Sequence, residues 1–152
     1  MNQLFFFIYR FFGWPLLRGA FLLAAPILPK IKEGLQQRQG QPWLAGPKQS
    51  NPFWFHCASG EFEYAKPVIR EIKKREPTAR ILVTYFSPTM ANAIKKFEGV
   101  DFAAPVPWDT QSSLQEFIDY HRPRALLIAR TDAWPEMVAT SRANGIPSLL
   151  FS

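Results

Sequence analysis

The pattern of apolar and polar positions divides the chain in three. Residues 4–28 are apolar almost throughout, interrupted by Arg10, Gly13, Pro15 and Arg18. Residues 30–52 are mixed and carry Gly34, Gly40, Pro42, Gly46, Pro47 and Pro52, the pattern of a linker or irregular collar. From residue 53, short apolar runs alternate with longer stretches of helical spacing. The runs at 53–58, 81–86, 100–104, 125–129 and 148–151 predict five strands. The second, fourth and fifth are nearly continuous, as parallel strands covered on both faces should be.

The stretches between them carry helix signals. Phe62, Ala65, Val68, Ile69 and Ile72 recur at helical spacing up to Arg75, with Pro67 predicting a kink or a late start. Ser87-Pro88 is a cap with proline at the first helical position, opening a helix to about residue 97. Asp109 or Thr110 caps a helix to about His121, and Asp132 caps another that Gly145 ends. Such alternation predicts an α/β fold: a Rossmann-like parallel sheet with helices on both faces and right-handed crossovers. The expected organisation is a hydrophobic membrane anchor (1–29), a basic linker (30–52) and the Rossmann-like domain (53–152).

Charge changes the picture at one end only. The net charge is +6, and residues 1–50 hold six basic side chains against the single acid Glu33. The domain is close to neutral, which argues against a nucleic-acid-binding face. A basic, apolar N-terminus fits an anionic membrane surface. A cleaved signal peptide is disfavoured by the uncharged start and the lack of a small-residue cleavage site. Two readings stay open. One is a spanning helix with snorkelling arginines. The other is an interfacial helix with Arg10 and Arg18 near headgroups and Trp14 at the boundary. Lys30, Lys32 and Arg38 then place the domain in the cytoplasm.

Candidate chemistry lies at the C-terminal ends of the strands, where open α/β sheets bind ligands. The first loop is Ser59-Gly60-Glu61. Gly60 lets backbone approach a ligand, while Glu61 is either a reactive carboxylate or a first-turn acid complementing the helix dipole. The second is Ser87-Pro88-Thr89, an anion-holding helix start or a plain cap. The third is Arg130-Thr131-Asp132-Ala133-Trp134-Pro135, a sugar or anion site or a cap beside a core tryptophan. His56 reads as a structural residue, and His121 as one complementing its helix end. Cys57, the only cysteine, reads as a buried small residue and excludes an internal disulfide. One cysteine and two distant histidines leave no metal site in view. No Gly-x-Gly-x-x-Gly or Walker-type loop points to a dinucleotide or nucleoside triphosphate cofactor.

Taken in order, these motifs resemble a known family. Residues 54–63, running Trp-Phe-His-Cys-Ala-Ser-Gly-Glu-Phe-Glu, with Pro67, Val83-Thr84, Ser87-Pro88-Thr89, Pro105, Pro107-Trp108-Asp109, Arg122-Pro123-Arg124 and Thr131 to Pro135, are similar to the acceptor domain of the 3-deoxy-D-manno-octulosonic acid (Kdo) transferases. The resemblance implies the N-terminal half of a GT-B glycosyltransferase, with a cleft between two Rossmann-like domains. It implies a lipid A precursor as acceptor, CMP-Kdo as donor in a C-terminal domain, and no cofactor. It implies the cytoplasmic face of the inner membrane, within lipopolysaccharide biosynthesis. By the same resemblance Glu61 is the general base of an inverting transfer. Ser59, Gly60, Ser87, Thr89, Arg130, Thr131 and Asp132 then bind the acceptor. Two local departures stand out. The family often has one more residue between the Ser and the Gly than this chain does, and commonly reads Glu-Thr-Glu-Leu-Trp-Pro where this chain starts with Arg130. A chain ending at Ser152 is expected to lack the donor domain and to be inactive alone. The alternatives are a non-catalytic, membrane-anchored binding module, or another GT-B enzyme acting on a lipid-linked acceptor.

Overall fold

The computed structural model describes residues 3–48 and 50–152. It opens with helix α1 (Gln3–Ile8), a wide π turn (Tyr9–Gly13) and α2 (Trp14–Ala24). In the π turn the Trp14 N–H reaches back to the Tyr9 carbonyl. The widening sits just before Pro15, which lacks an N–H for the regular ladder. These pieces form one helix of 22 residues, long and apolar enough to cross a membrane by length and composition.

Helix α3 (Pro29–Gln36) follows, then a 3₁₀ turn at Pro42–Leu44. Strand β1 (Phe53–Cys57), helix α4 (Phe62–Arg75), β2 (Ile81–Tyr85), α5 (Ala91–Lys95), β3 (Phe102–Pro105), α6 (Gln111–His121), β4 (Ala125–Ala129), α7 (Pro135–Ala143) and β5 (Ser148–Phe151) complete the chain. The five strands form one parallel sheet in the order β3-β2-β1-β4-β5. The expected α/β fold is the observed one, with each predicted strand in place to within two residues.

Alternation along the strands divides the core into two layers. Phe55, Cys57, Val83, Tyr85 and Leu127 pack under α4 and α5, joined by Phe62, Ile69 and Ile94. Trp54, Leu82, Leu126 and Ile128 point the other way, onto Leu114 and Phe117 of α6 and Met137 of α7. Trp54 and His56 therefore share a face with Thr84, which is paired with His56 in register.

Several boundaries differ from expectation for physical reasons. Pro67 lies inside an unbroken α4; only the bond it would donate to the preceding turn is lost. The helix expected over 88–97 is a 3₁₀ turn at Pro88–Met90 followed by the five residues of α5. Thr110 caps α6 through Ser113 N–H at 3.3 Å. Asp132 does not cap α7, which starts at Pro135. Gly145 ends α7 in the left-handed region (φ 70°), as its position predicts.

The 30–52 segment is packed against the sheet. Trp43 is 2 % exposed and sits in the layer under α6. Its carbonyl accepts from His121 Nε2 at 2.6 Å. His121 is fully buried, and burial pulls its pKa down against the hydrogen bonds it makes. It is therefore neutral and supplies no charge to its helix end, contrary to expectation. Arg38 is buried too. It donates to the carbonyls of Gly34, Phe86 and Val106 at 2.8, 3.1 and 3.2 Å. Its guanidinium lies over the rings of Phe86 and Trp108, and burial lowers its pKa to about 10.

Candidate active site

In this strand order the chain moves outward from β1 to β2 and β3, then returns to the other side of β1 as β4. Open α/β sheets form their ligand crevice outside the C-terminal ends of the strands at such a reversal. The loop after β1 and the loop after β4 flank that point, and the loop after β2 lies beside it. All eight residues expected to form the site stand on these three loops.

The first loop turns tightly, with Phe62 N–H on Ser59 O and Glu63 N–H on Gly60 O. Glu61 is half-buried just before the first residue of α4. Its Oε2 accepts from the Ser59 N–H at 2.7 Å, so the carboxylate is turned back over the end of β1. A Cβ on Gly60 would meet nothing within 4 Å, and the fold sets no left-handed φ there. The glycine leaves bare backbone facing open space.

The second loop is tied to the first: Phe86 and Ser87 N–H groups both donate to Ala58 O, at 3.1 and 2.8 Å. Ser87 Oγ accepts from Thr89 N–H at 3.4 Å and donates to Thr89 Oγ1 at 3.1 Å. In the third loop, Arg130 takes a left-handed φ of 63°, unusual for a residue with a side chain. Its N–H donates to Phe151 O at 2.7 Å. Its guanidinium lies 5.0 Å from the ring centre of Tyr64 in α4. Thr131 is exposed beside it.

Asp132, freed from capping, reaches down instead. Its Oδ2 lies 2.8 Å from Nε2 of the fully buried His56. His56 Nδ1 lies 3.0 Å from Thr84 Oγ1, which accepts from Trp54 Nε1 at 2.8 Å. His56 is thus held between Asp132 and Thr84, and Thr84 is held in turn by the Trp54 indole N–H. Burial would raise the Asp132 carboxyl, but the hydrogen bond and charge of His56 win and hold it below the usual range. A depressed carboxyl contributes stability above its unfolded pKa of about 3.9 and loses it as pH falls through the folded value. The urea midpoint of Asp132→Asn is therefore expected below wild type at pH 7, with the two converging as the pH drops under about 4.

Glu61 and Asp132 converge electrostatically at the end of β1. Burial first, then the charges of Glu61 and Asp132, push the Cys57 thiol up to about 12. Cys57 is a protonated core residue and not a nucleophile. Among the described residues, no group of three or more His, Cys, Asp or Glu converges to hold a metal ion.

A second polar cluster went unread in the sequence. Asp109 accepts from the N–H groups of Glu136 and Met137 at 3.1 and 2.9 Å, capping α7 from across the domain. It also accepts from Tyr9 Oη at 2.6 Å. Arg10 is paired with the buried Glu136 through both carboxylate oxygens. Trp14 is buried against Trp108 and Trp134. Arg10 and Trp14 thus hold the N-terminal helix to the domain, where headgroup contacts were expected. Phe21 continues the same contact onto Phe86. Asp109→Ala leaves two helix N–H groups and a tyrosine hydroxyl without their acceptor. We expect a loss of about 2–4 kcal/mol in urea denaturation.

These features define an α/β unit: a Rossmann-like parallel sheet with a polar crevice at its topological switch. The chain belongs to the family described as 3-deoxy-D-manno-octulosonic-acid transferase (kdotransferase), whose model matches residues 33–152. It is 33 % identical over 99 residues to a 3-deoxy-D-manno-octulosonic acid transferase of Aquifex aeolicus, covering 64 % of this chain and 26 % of that protein. The Haemophilus influenzae protein of the same name is 27 % identical over 124 residues, 80 % of this chain and 29 % of that one. A probable mitochondrial 3-deoxy-D-manno-octulosonic acid transferase of Arabidopsis thaliana is 29 % identical over 119 residues, 73 % of this chain and 25 % of that one. The chain spans roughly a quarter of the length of these relatives.

Proposed function

We propose that this chain is the acceptor half of an inverting Kdo transferase acting on a lipid A precursor. CMP-Kdo is read as the donor, held by a second Rossmann-like unit outside these 152 residues, so that this half alone transfers nothing. Family membership favours this over a non-catalytic binding module. The observation that carries it is the placement of Glu61. Its carboxylate stands at the switch point of the sheet, fixed by the Ser59 N–H. Asp132 is anchored nearby by His56.

In this reading Glu61 takes the proton of the acceptor hydroxyl as that oxygen attacks the anomeric carbon of Kdo. The bond from that carbon to the phosphate oxygen breaks from the opposite face, and CMP leaves with the electron pair. A fixed carboxylate in hydrogen-bond reach of the hydroxyl is what such general-base catalysis needs. Asp132, ionised and braced, orients acceptor hydroxyls. Ser59, Gly60, Ser87, Thr89 and Thr131 offer backbone and hydroxyl contacts, and Arg130 offers a cation to an anionic acceptor.

The N-terminal helix supports a membrane-borne acceptor. It contacts the domain from Tyr9 to Phe21, over Phe86, Trp108, Asp109, Trp134 and Glu136, all at the C-terminal end of the sheet. A helix docked over some 12 residues runs along the domain for about 18 Å. Its other side is apolar and open, with Leu16 and Leu23 more than three-quarters exposed. We read it as lying in the cytoplasmic leaflet of the inner membrane, which puts the crevice at the bilayer surface. The test is Kdo transfer from CMP-Kdo to a lipid A precursor by this chain joined to its natural C-terminal domain. Transfer is expected; acceptance of only unrelated lipid-linked sugars would overturn the reading.

A further inference from the structure

An apolar cleft lies beside the candidate acceptor loops. It opens between α2, α3 and the loop after β2, with a cavity volume of about 130 Å³ and one side open to solvent. That is below the range of about 300–1,000 Å³ usual for whole small-ligand sites, and suits a short stretch of a slender chain. Phe21, Ile31, Leu35, Phe86, Pro88 and Trp108 form its walls. Gly34 and the buried Arg38 also line it, but Arg38 spends hydrogen bonds on three carbonyls and turns aromatic-covered faces to its surroundings.

We infer that this cleft takes one acyl chain of the acceptor glycolipid. The inference rests on the acceptor reading above and deepens it. Three observations fix the occupant. Phe21 stands in the cleft wall, and the apolar residues that follow it in the chain, Leu22, Leu23, Ile27 and Leu28, are exposed. Ser87 lines the cleft and also belongs to the loop tied to Ala58 beside Glu61, so chain and hydroxyl of one molecule can be held together. Lys30 stands in the lining as a cation for an anionic headgroup. A chain seated here would draw the acceptor part-way out of the bilayer and fix its sugar over the crevice. The clefts near Lys48 and near Lys73 suit no acyl chain, because polar and charged side chains make up most of their lining.

Two measurements test this on the chain joined to its natural C-terminal domain. The first is photolabelling with a lipid A precursor carrying a diazirine at the tip of one acyl chain, in detergent micelles. Labels are expected on Phe21, Ile31, Leu35 or Phe86, and excess phosphatidylglycerol should leave them in place. Labels confined to Leu16, Leu22, Leu23 and Ile27, or lost to phosphatidylglycerol, would overturn the inference. The second is Ile31→Trp, which fills the cleft. The ratio of kcat/KM for the acylated acceptor to that for its de-O-acylated form should fall about tenfold; an unchanged ratio would overturn the inference. Because this ratio is taken within one variant, partial misfolding does not mimic the effect. Absence of any transfer by the wild type would instead count against the functional reading, and the labelling pattern would still decide the cleft.

Discussion

Glu61→Gln is expected to lower kcat for Kdo transfer by about 10²–10⁴-fold, the usual worth of a positioned general base. Glutamine keeps the size of the side chain, and its amide oxygen can still accept from the Ser59 N–H, now 2.7 Å from Oε2. The loop should therefore hold its shape, and thermal stability and acceptor KM should change little. What is lost is the capacity to take a proton. A loss confined to kcat identifies an interaction made in the transition state. If transfer continued at the wild-type rate, Glu61 would be no more than a carboxylate at a helix start.

The largest expected effect on stability comes from outside the strands and helices of the domain. Trp43→Ala should cost about 3–5 kcal/mol, as for large-to-small changes in a sealed core. Trp43 is 2 % exposed and packed in the layer that contains Trp54, Leu114 and Phe117. Its carbonyl anchors the buried His121. One feature trims the loss: the Trp43 indole N–H has no partner among the described residues, so its removal also removes a buried orphan donor. Urea denaturation of wild type and variant measures the difference. A cost under about 0.5 kcal/mol, the level of an ordinary surface change, would mean that the 30–52 segment is a loose tether.

How much of this was legible in the sequence depended on the range of the interaction. Parallel strands are buried on both faces, so Ile81–Tyr85 and Ala125–Ala129 announce themselves as unbroken apolar runs. Local chemistry also reads well: Ser87 before Pro88, Thr110 before α6 and Gly145 after α7 each do what their type predicts. Partners far apart do not read. The N–H groups that start α7 are satisfied by Asp109, 27 and 28 residues earlier. Asp132, a cap by local rules, is claimed by His56 at a separation of 76. Arg10 finds Glu136 at a separation of 126.

The burial of the 30–52 segment left a faint signal. Its glycines and prolines read as a linker, yet Trp43 among them is a side chain that linkers seldom carry unless it packs. Gly46 has a comparable reason: a Cβ there would stand 2.6 Å from the Phe102 ring. Arg38 left no signal, since nothing local separates a solvated arginine from one bound to three carbonyls. The candidate site was legible as three loops because strand ends are predictable. Its bracing by Trp54, Thr84 and His56 depends on the register of β1 against β2, which a sequence does not state.

The crevice over β1 and β4 is, on this reading, the acceptor site of a Kdo transferase. The most direct measurement is the mass of a lipid A precursor after incubation with CMP-Kdo and this chain joined to its natural C-terminal domain, beside the Glu61→Gln form at equal concentration. An acceptor carrying added Kdo is expected with the wild type, and unmodified acceptor with the variant over the same time. Equal yields of product from the two proteins, or none from the wild type, would contradict the assignment.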